Sequence, residues 1–186
     1  HKKSVFSAQS VLPGSPKVDC KFNLFPGEAL AVTAADIEAL SKQEDVEQIW
    51  PDLPVYTCLN TSVPKIQAPK VWDAGFKGTG IKVAVVDTGI DDTHPDFAGR
   101  IMATASFVSD SARDDSGHGT HVAGTIAGNG SKSNGKYVGV APEAHLYIAK
   151  VLRADGSGSM SSVMAGIEWA VLEQQVQIIN LSLGGT

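Results

Sequence analysis

Two side chains in this sequence have the types and settings that acid–base chemistry needs. Asp87 closes the apolar run Ile81-Lys82-Val83-Ala84-Val85-Val86 and is followed by Thr88-Gly89. His118 lies in Ser116-Gly117-His118-Gly119-Thr120-His121-Val122-Ala123-Gly124. A carboxylate can hold one imidazole tautomer and stabilise the imidazolium, while the other ring nitrogen takes a proton from a nucleophile. A helix start favours the neutral imidazole that a general base must be. The glycines beside His118 leave room for a substrate backbone. Each segment has a plainer reading too. A lone Asp-Thr-Gly serves as a cap or turn, and an aspartic-protease centre needs two such acids where this chain has one. His118 can be structural, or a metal ligand with His121, although the two lack the His-Glu-x-x-His spacing.

Positioning an acid and a histidine of this kind takes a sheet. Residues 81–87, 146–152 and 176–182 read as apolar strands. Between the last two, Ser161 or Ser162 can cap a helix whose inward face holds Val163, Ile167, Trp169 and Val171. A second helix should begin near His118 and run through Val122 and Ile126. Buried strands alternating with helices imply a parallel sheet covered on both faces. In such sheets the working residues lie at the carboxyl ends of strands, where Asp87 is.

The chain before this is built differently. Val18, Cys20, Phe22 and Leu24 alternate with polar residues, as in a half-buried strand. Pro26-Gly27 marks a turn. Thr33 can cap a short helix with Asp36 three residues on, and Val46 to Trp50 reads as a returning strand. Such a small α+β unit has a thin core and leans on a partner surface. Pro51, Pro54, Pro64 and Pro69 make 51–69 read as an extended linker.

Composition bounds the function. The 186 residues are 42% hydrophobic and 19% charged, which predicts a packed core. A net charge of -5 without clustered Lys and Arg argues against nucleic acid. No apolar run reaches the length of a membrane span. Two cysteines, Cys20 and Cys58, make neither a disulfide scaffold nor a zinc pattern. Cys20 reads as a core residue.

In order and combination, these segments resemble the subtilisin-like serine proteases, or subtilases. The resemblance rests on Val86-Asp87-Thr88-Gly89-Ile90-Asp91, His94-Pro95-Asp96 and the His118 segment. Val138-Gly139-Val140-Ala141-Pro142, Lys150-Val151-Leu152 and Asn180-Leu181-Ser182-Leu183-Gly184-Gly185 extend it. It implies an α/β fold: a subtilisin-like parallel sheet with helices on both faces, incomplete in this chain. A small α+β propeptide domain precedes it. Residues 1–59 would be the inhibitory propeptide, packed on the catalytic domain, and 60–186 the N-terminal part of that domain.

The resemblance assigns roles. Asp87 and His118 would be catalytic. Ser157-Gly158-Ser159 and Ser182-Leu183-Gly184 would clamp an extended polypeptide substrate by adding it as a strand. Leu183 and Gly184 would line the pocket before the scissile bond, which favours large apolar residues. Maturation would cut at Leu59-Asn60, with Leu59 in the first pocket and Tyr56 in the fourth. No cofactor is implied for catalysis. A structural calcium is implied, with Asp96 as a ligand and the loop 129–137 nearby, although that loop has two Lys and no acid. The family's oxyanion Asn and nucleophilic Ser lie beyond Gly185, on the remaining catalytic segment. Ser116 and Ser182 lack the nucleophile setting. The expectation is a secreted serine endopeptidase precursor, inactive as this chain alone. The alternatives are an inert fragment or a propeptide-type, protease-inhibiting binding module.

Overall fold

The computed structural model describes residues 17–57 and 66–185. They divide into two units, one ending at Asp52 and one starting at Leu53. In the first, β1 (Lys17–Lys21) pairs antiparallel with β2 (Glu28–Ala31). The chain turns after Phe22, where Gly27 N–H donates to the Phe25 carbonyl at 2.8 Å. The expected alternation therefore stops at Phe22, which is buried, and Leu24 leaves the sheet exposed. Cys20 is half-buried rather than a core residue. Helix α1 (Ala34–Leu40) starts at the expected cap: the Thr33 hydroxyl accepts the Asp36 N–H, and the Asp36 carboxylate accepts the Thr33 N–H. Leu40 packs on Leu30, Val32, Ala39 and Val46. The returning strand at 46–50 does not form. The turn at Gly27 gives β1 its partner in β2 instead, and Trp50 is 76% exposed.

In the second unit, the stretch read as a linker carries two elements, β3 (Pro54–Thr57) and helix α2 (Ala68–Asp73). Pro69 fits the first turn of α2 because that position needs no N–H partner. Then follow β4 (Lys82–Asp87), β5 (Ile101–Ser106), α3 (His118–Ala127), β6 (His145–Lys150) and β7 (Gly158–Ser159). Helix α4 (Met160–Glu168), β8 (Ile178–Asn180) and β9 (Leu183–Gly184) complete the order. Strands β5-β6-β4-β8, in that order, form an all-parallel sheet. Strand β5 went unread because it is only half-buried and lacks a continuous apolar run.

Alternation along β4 and β6 sorts side chains to two faces. Val83, Val85, Leu146 and Ile148 meet Val122, Ala123 and Ala127 of α3. Ala84, Val86, Tyr147 and Ala149 meet Val163 and Trp169 on the other side. Both faces of the sheet are thus covered, as expected. The cap of α4 is Ser159, not Ser161 or Ser162: its hydroxyl accepts the Ser162 N–H at 3.2 Å. From Trp169 to Glu173 the helix widens to π geometry, which turns Val171 off the inward face and leaves it 37% exposed. Edge strand β8 pairs only with β4 among the described residues, and Ile178 is 51% exposed. Among the described residues no helix is long and apolar enough to cross a membrane.

The two-faced sheet predicts where stability is concentrated. Ile148→Ala, at a fully buried site in central β6, should destabilise the chain by about 2–5 kcal/mol. The denaturant midpoint measures it, and a cost of a few tenths would mean that this face is not packed.

Candidate active site

Backbone pairing sets Asp87 in place before its side chain acts. Asp87 ends β4 opposite Lys150 of β6. Its carbonyl accepts N–H bonds from Val151 at 2.8 Å and Leu152 at 3.2 Å. The residue is 0% exposed. Its carboxylate Oδ1 accepts the Thr88 N–H at 2.7 Å and lies 2.7 Å from His118 Nδ1. Burial raises the Asp87 pKa above the usual carboxylate value, and the bonds from His118 and Thr88 work against that rise.

His118 is the first residue of α3, and the helix start presses directly on the loop after β4. Gly89 has φ of 113°, and a Cβ there would strike the Ala112 carbonyl. A Cβ at Gly119 would strike the Gly89 carbonyl. A side chain at Gly119 would push the start of α3 off the loop after β4, and one at Gly89 would push that loop off residues 112–113.

Three residues to which the sequence reading gave no role hold this approach together. Gly117 precedes α3 and offers no capping side chain. Asp114 supplies the cap instead. Its Oδ1 accepts from the Ser116 N–H, the Gly117 N–H and the Thr88 hydroxyl, and its Oδ2 from the Thr120 N–H and hydroxyl. Burial pushes the Asp114 pKa up, but the bonds from Thr120, Gly117 and Thr88 outweigh it and leave the value at about 2. Thr88 joins the two halves: its hydroxyl donates to Asp114 and accepts the Gly119 N–H at 2.8 Å. Lys150, 1% exposed, donates to the Thr88 carbonyl and to Asp115 Oδ1. A buried ammonium is tolerable only with such partners. An acid just ahead of a histidine helix and a lysine ending an apolar strand were the available sequence signals.

Two polar atoms at this centre lack a partner. Among the described residues, His118 Nε2 and Asp87 Oδ2 are buried without a hydrogen bond. With Nδ1–H donating to Asp87, Nε2 carries the lone pair of a base.

Strand β3 lies between β7 and β9, antiparallel to both. Pro54 and Val55 face Ser159 and Gly158, and Tyr56 and Thr57 face Gly184 and Leu183. The serine side chains of these edges are engaged internally. Ser157 Oγ donates to Asp155, Ser159 caps α4, and Ser182 Oγ donates to Asn180 Oδ1. The backbone is left to pair with β3. Asp96 lies apart from this centre, in a short 3₁₀ turn at Pro95–Phe97. Leu59 and Asn60 lie outside the described residues.

The model of the subtilase family matches residues 78–186, which include both Asp87 and His118. The chain belongs to the subtilase family. It is 44% identical over 170 residues to M-protease of Shouchella clausii strain KSM-K16, covering 88% of this chain and 43% of that protein. It is 49% identical over 134 residues to the major intracellular serine protease of Bacillus subtilis strain 168, covering 68% and 41%. Against subtilisin Savinase of Lederbergia lenta it is 50% identical over 124 residues, covering 66% and 44%. This subtilase chain therefore spans less than half the length of these relatives.

Asp114 gives the site a pH signature. Its folded pKa of about 2 lies below its ordinary value of 3.8, so its stabilisation is present above that ordinary value and lost as pH falls toward about 2. Asp114→Asn should be less stable than wild type at neutral pH, with the gap closing across that acid window. Urea midpoints measured at several pH values test it, and a gap that stays constant with pH contradicts it.

Proposed function

We propose that this chain carries the acid–base half of a serine endopeptidase, with the nucleophilic Ser on a segment outside these residues. One observation supports this above the rest: a buried Asp87 paired at 2.7 Å with a half-buried His118 whose outer nitrogen, Nε2, has no partner among the described residues. In this reading His118 Nε2 takes the serine proton as the hydroxyl attacks the scissile carbonyl. The ring becomes positive while Nδ1–H stays bonded to Asp87, and Nε2 then gives the proton to the leaving amine. Asp87 keeps its charge throughout and orients the ring.

The tests use a longer protein that includes the Ser-bearing segment, and the chain by itself. With a chromogenic peptide carrying Leu or Phe before the scissile bond, His118→Ala should lower kcat by roughly 10⁶. That magnitude was measured in subtilisin, itself a subtilase. Activity kept within about tenfold of wild type would sink the assignment, because a missing general base alone costs far more. The chain alone should neither hydrolyse the peptide nor react with a covalent serine probe. Labelling of the chain alone would mean that it holds its own nucleophile.

Residues 54–57 favour a related reading, that residues 1–59 act as an inhibitory propeptide whose end occupies the substrate groove. The support is β3, paired along both edges where an extended polypeptide substrate would add as a strand. The M-protease match covers 88% of the chain and so extends into the first unit, whereas the Savinase match covers 66% and does not need it. The register at Thr57–Leu183 leaves Cys58 and Leu59 between the paired strand and a cut before Asn60. N-terminal sequencing of the mature protease should then begin at Asn60, and a start well removed from it contradicts the cut. Secretion is proposed with this reading. One relative is by name an intracellular protease, so family membership does not by itself set the compartment.

A further inference from the structure

The family resemblance puts a calcium ligand at Asp96, but the oxygens around Asp96 do not form a calcium shell. Calcium takes six to eight oxygens. Among the described residues, no three His, Cys, Asp or Glu gather as metal ligands. Several of the oxygens that are present already accept hydrogen bonds from the chain itself. Asp96 is buried, and its Oδ1 accepts the Lys132 N–H at 2.7 Å. Its carbonyl accepts the Asn129 N–H and the Arg100 guanidinium. Asn129 Oδ1 accepts the Ser131 N–H at 2.9 Å. The Gly130 carbonyl accepts the N–H groups of Ser133 and Gly135 and the Ser133 hydroxyl. A carbonyl has two lone pairs, so with three donors it has none to give a metal.

Positive charge is supplied as well. The Arg100 guanidinium donates to the Asp96 carbonyl, which sets a positive group beside this turn. The loop adds Lys132 and Lys136 and no acid. A cation entering here would displace N–H donors and meet repulsion.

We infer that this chain replaces a structural cation at Asp96 with its own donors, the Lys132 amide and the Arg100 guanidinium, so that stability at this loop does not depend on calcium. The consequence is tolerance of chelators at this position. The inference does not rest on the protease reading, because it concerns folding and not turnover.

Thermal unfolding of the full chain in EDTA and in millimolar calcium tests it, on wild type, Asp96→Asn and Lys132→Pro. Calcium should move neither the wild-type nor the Asp96→Asn midpoint. Lys132→Pro deletes the N–H that Asp96 accepts and should melt lower in both buffers, without rescue by calcium. Calcium stabilisation of wild type that Asp96→Asn loses, or calcium rescue of Lys132→Pro, overturns the inference. Should both variants fail to fold, an unchanged wild-type midpoint between the two buffers supports it, and a higher midpoint in calcium overturns it.

Discussion

The rest of the site depends on keeping one carboxylate out of water. Burying an ionised acid is costly unless hydrogen bonds and an opposite charge compensate. At Asp87 the compensation is the Thr88 N–H and the His118 ring, both at 2.7 Å from Oδ1. Neither would be in reach if the loop after β4 drifted. The parallel pairing of β4 with β6 prevents this by clamping the Asp87 carbonyl, and Lys150 holds the next carbonyl. The histidine side is fixed by Asp114, which caps α3 and binds Thr88 on the opposite loop. Asp87, His118 and their supports are therefore one connected network, and the pair cannot be separated from the sheet that presents it.

The three-stranded β7-β3-β9 sheet follows a different rule. Strands β7 and β9 are two residues each and do not pair with each other. A third strand between them satisfies the backbone groups of both edges, and β3 does so in this chain. The serine side chains turn away to cap α4 or bond neighbouring polar groups. The pairing therefore relies on main-chain atoms, which every polypeptide possesses. The same segment gives the second unit its first strand and accounts for the division at Asp52 rather than later.

Loop 129–137 is stabilised by the same means. Its N–H groups and the Asn129 amide oxygen pair within the loop, and Asp96 is reached through the Lys132 amide. In both places a carboxylate is held chiefly by neutral N–H donors. That arrangement resists changes in salt better than an exposed ion pair does.

Much of this was legible in the sequence. The apolar run ending in Asp87 and the Gly-flanked His118 announced a strand-end acid and a helix-start histidine. Thr33 and Asp36 announced the capping box of α1. Local chemistry determines such features, because capping, alternation and strand length are properties of neighbours in the chain. Other features were decided only by tertiary structure. Asp114, Thr88 and Lys150 look like ordinary loop and strand residues until β4, β6 and α3 meet. Residues 46–50 had the pattern of a strand but found no partner once β2 had taken β1. Residues 54–57 read as linker because two prolines obscured a strand that only two distant edges could stabilise. A residue's type constrains which bonds it can make, but whether it makes them depends on what folding brings within three ångströms, and those partners are far away in the chain.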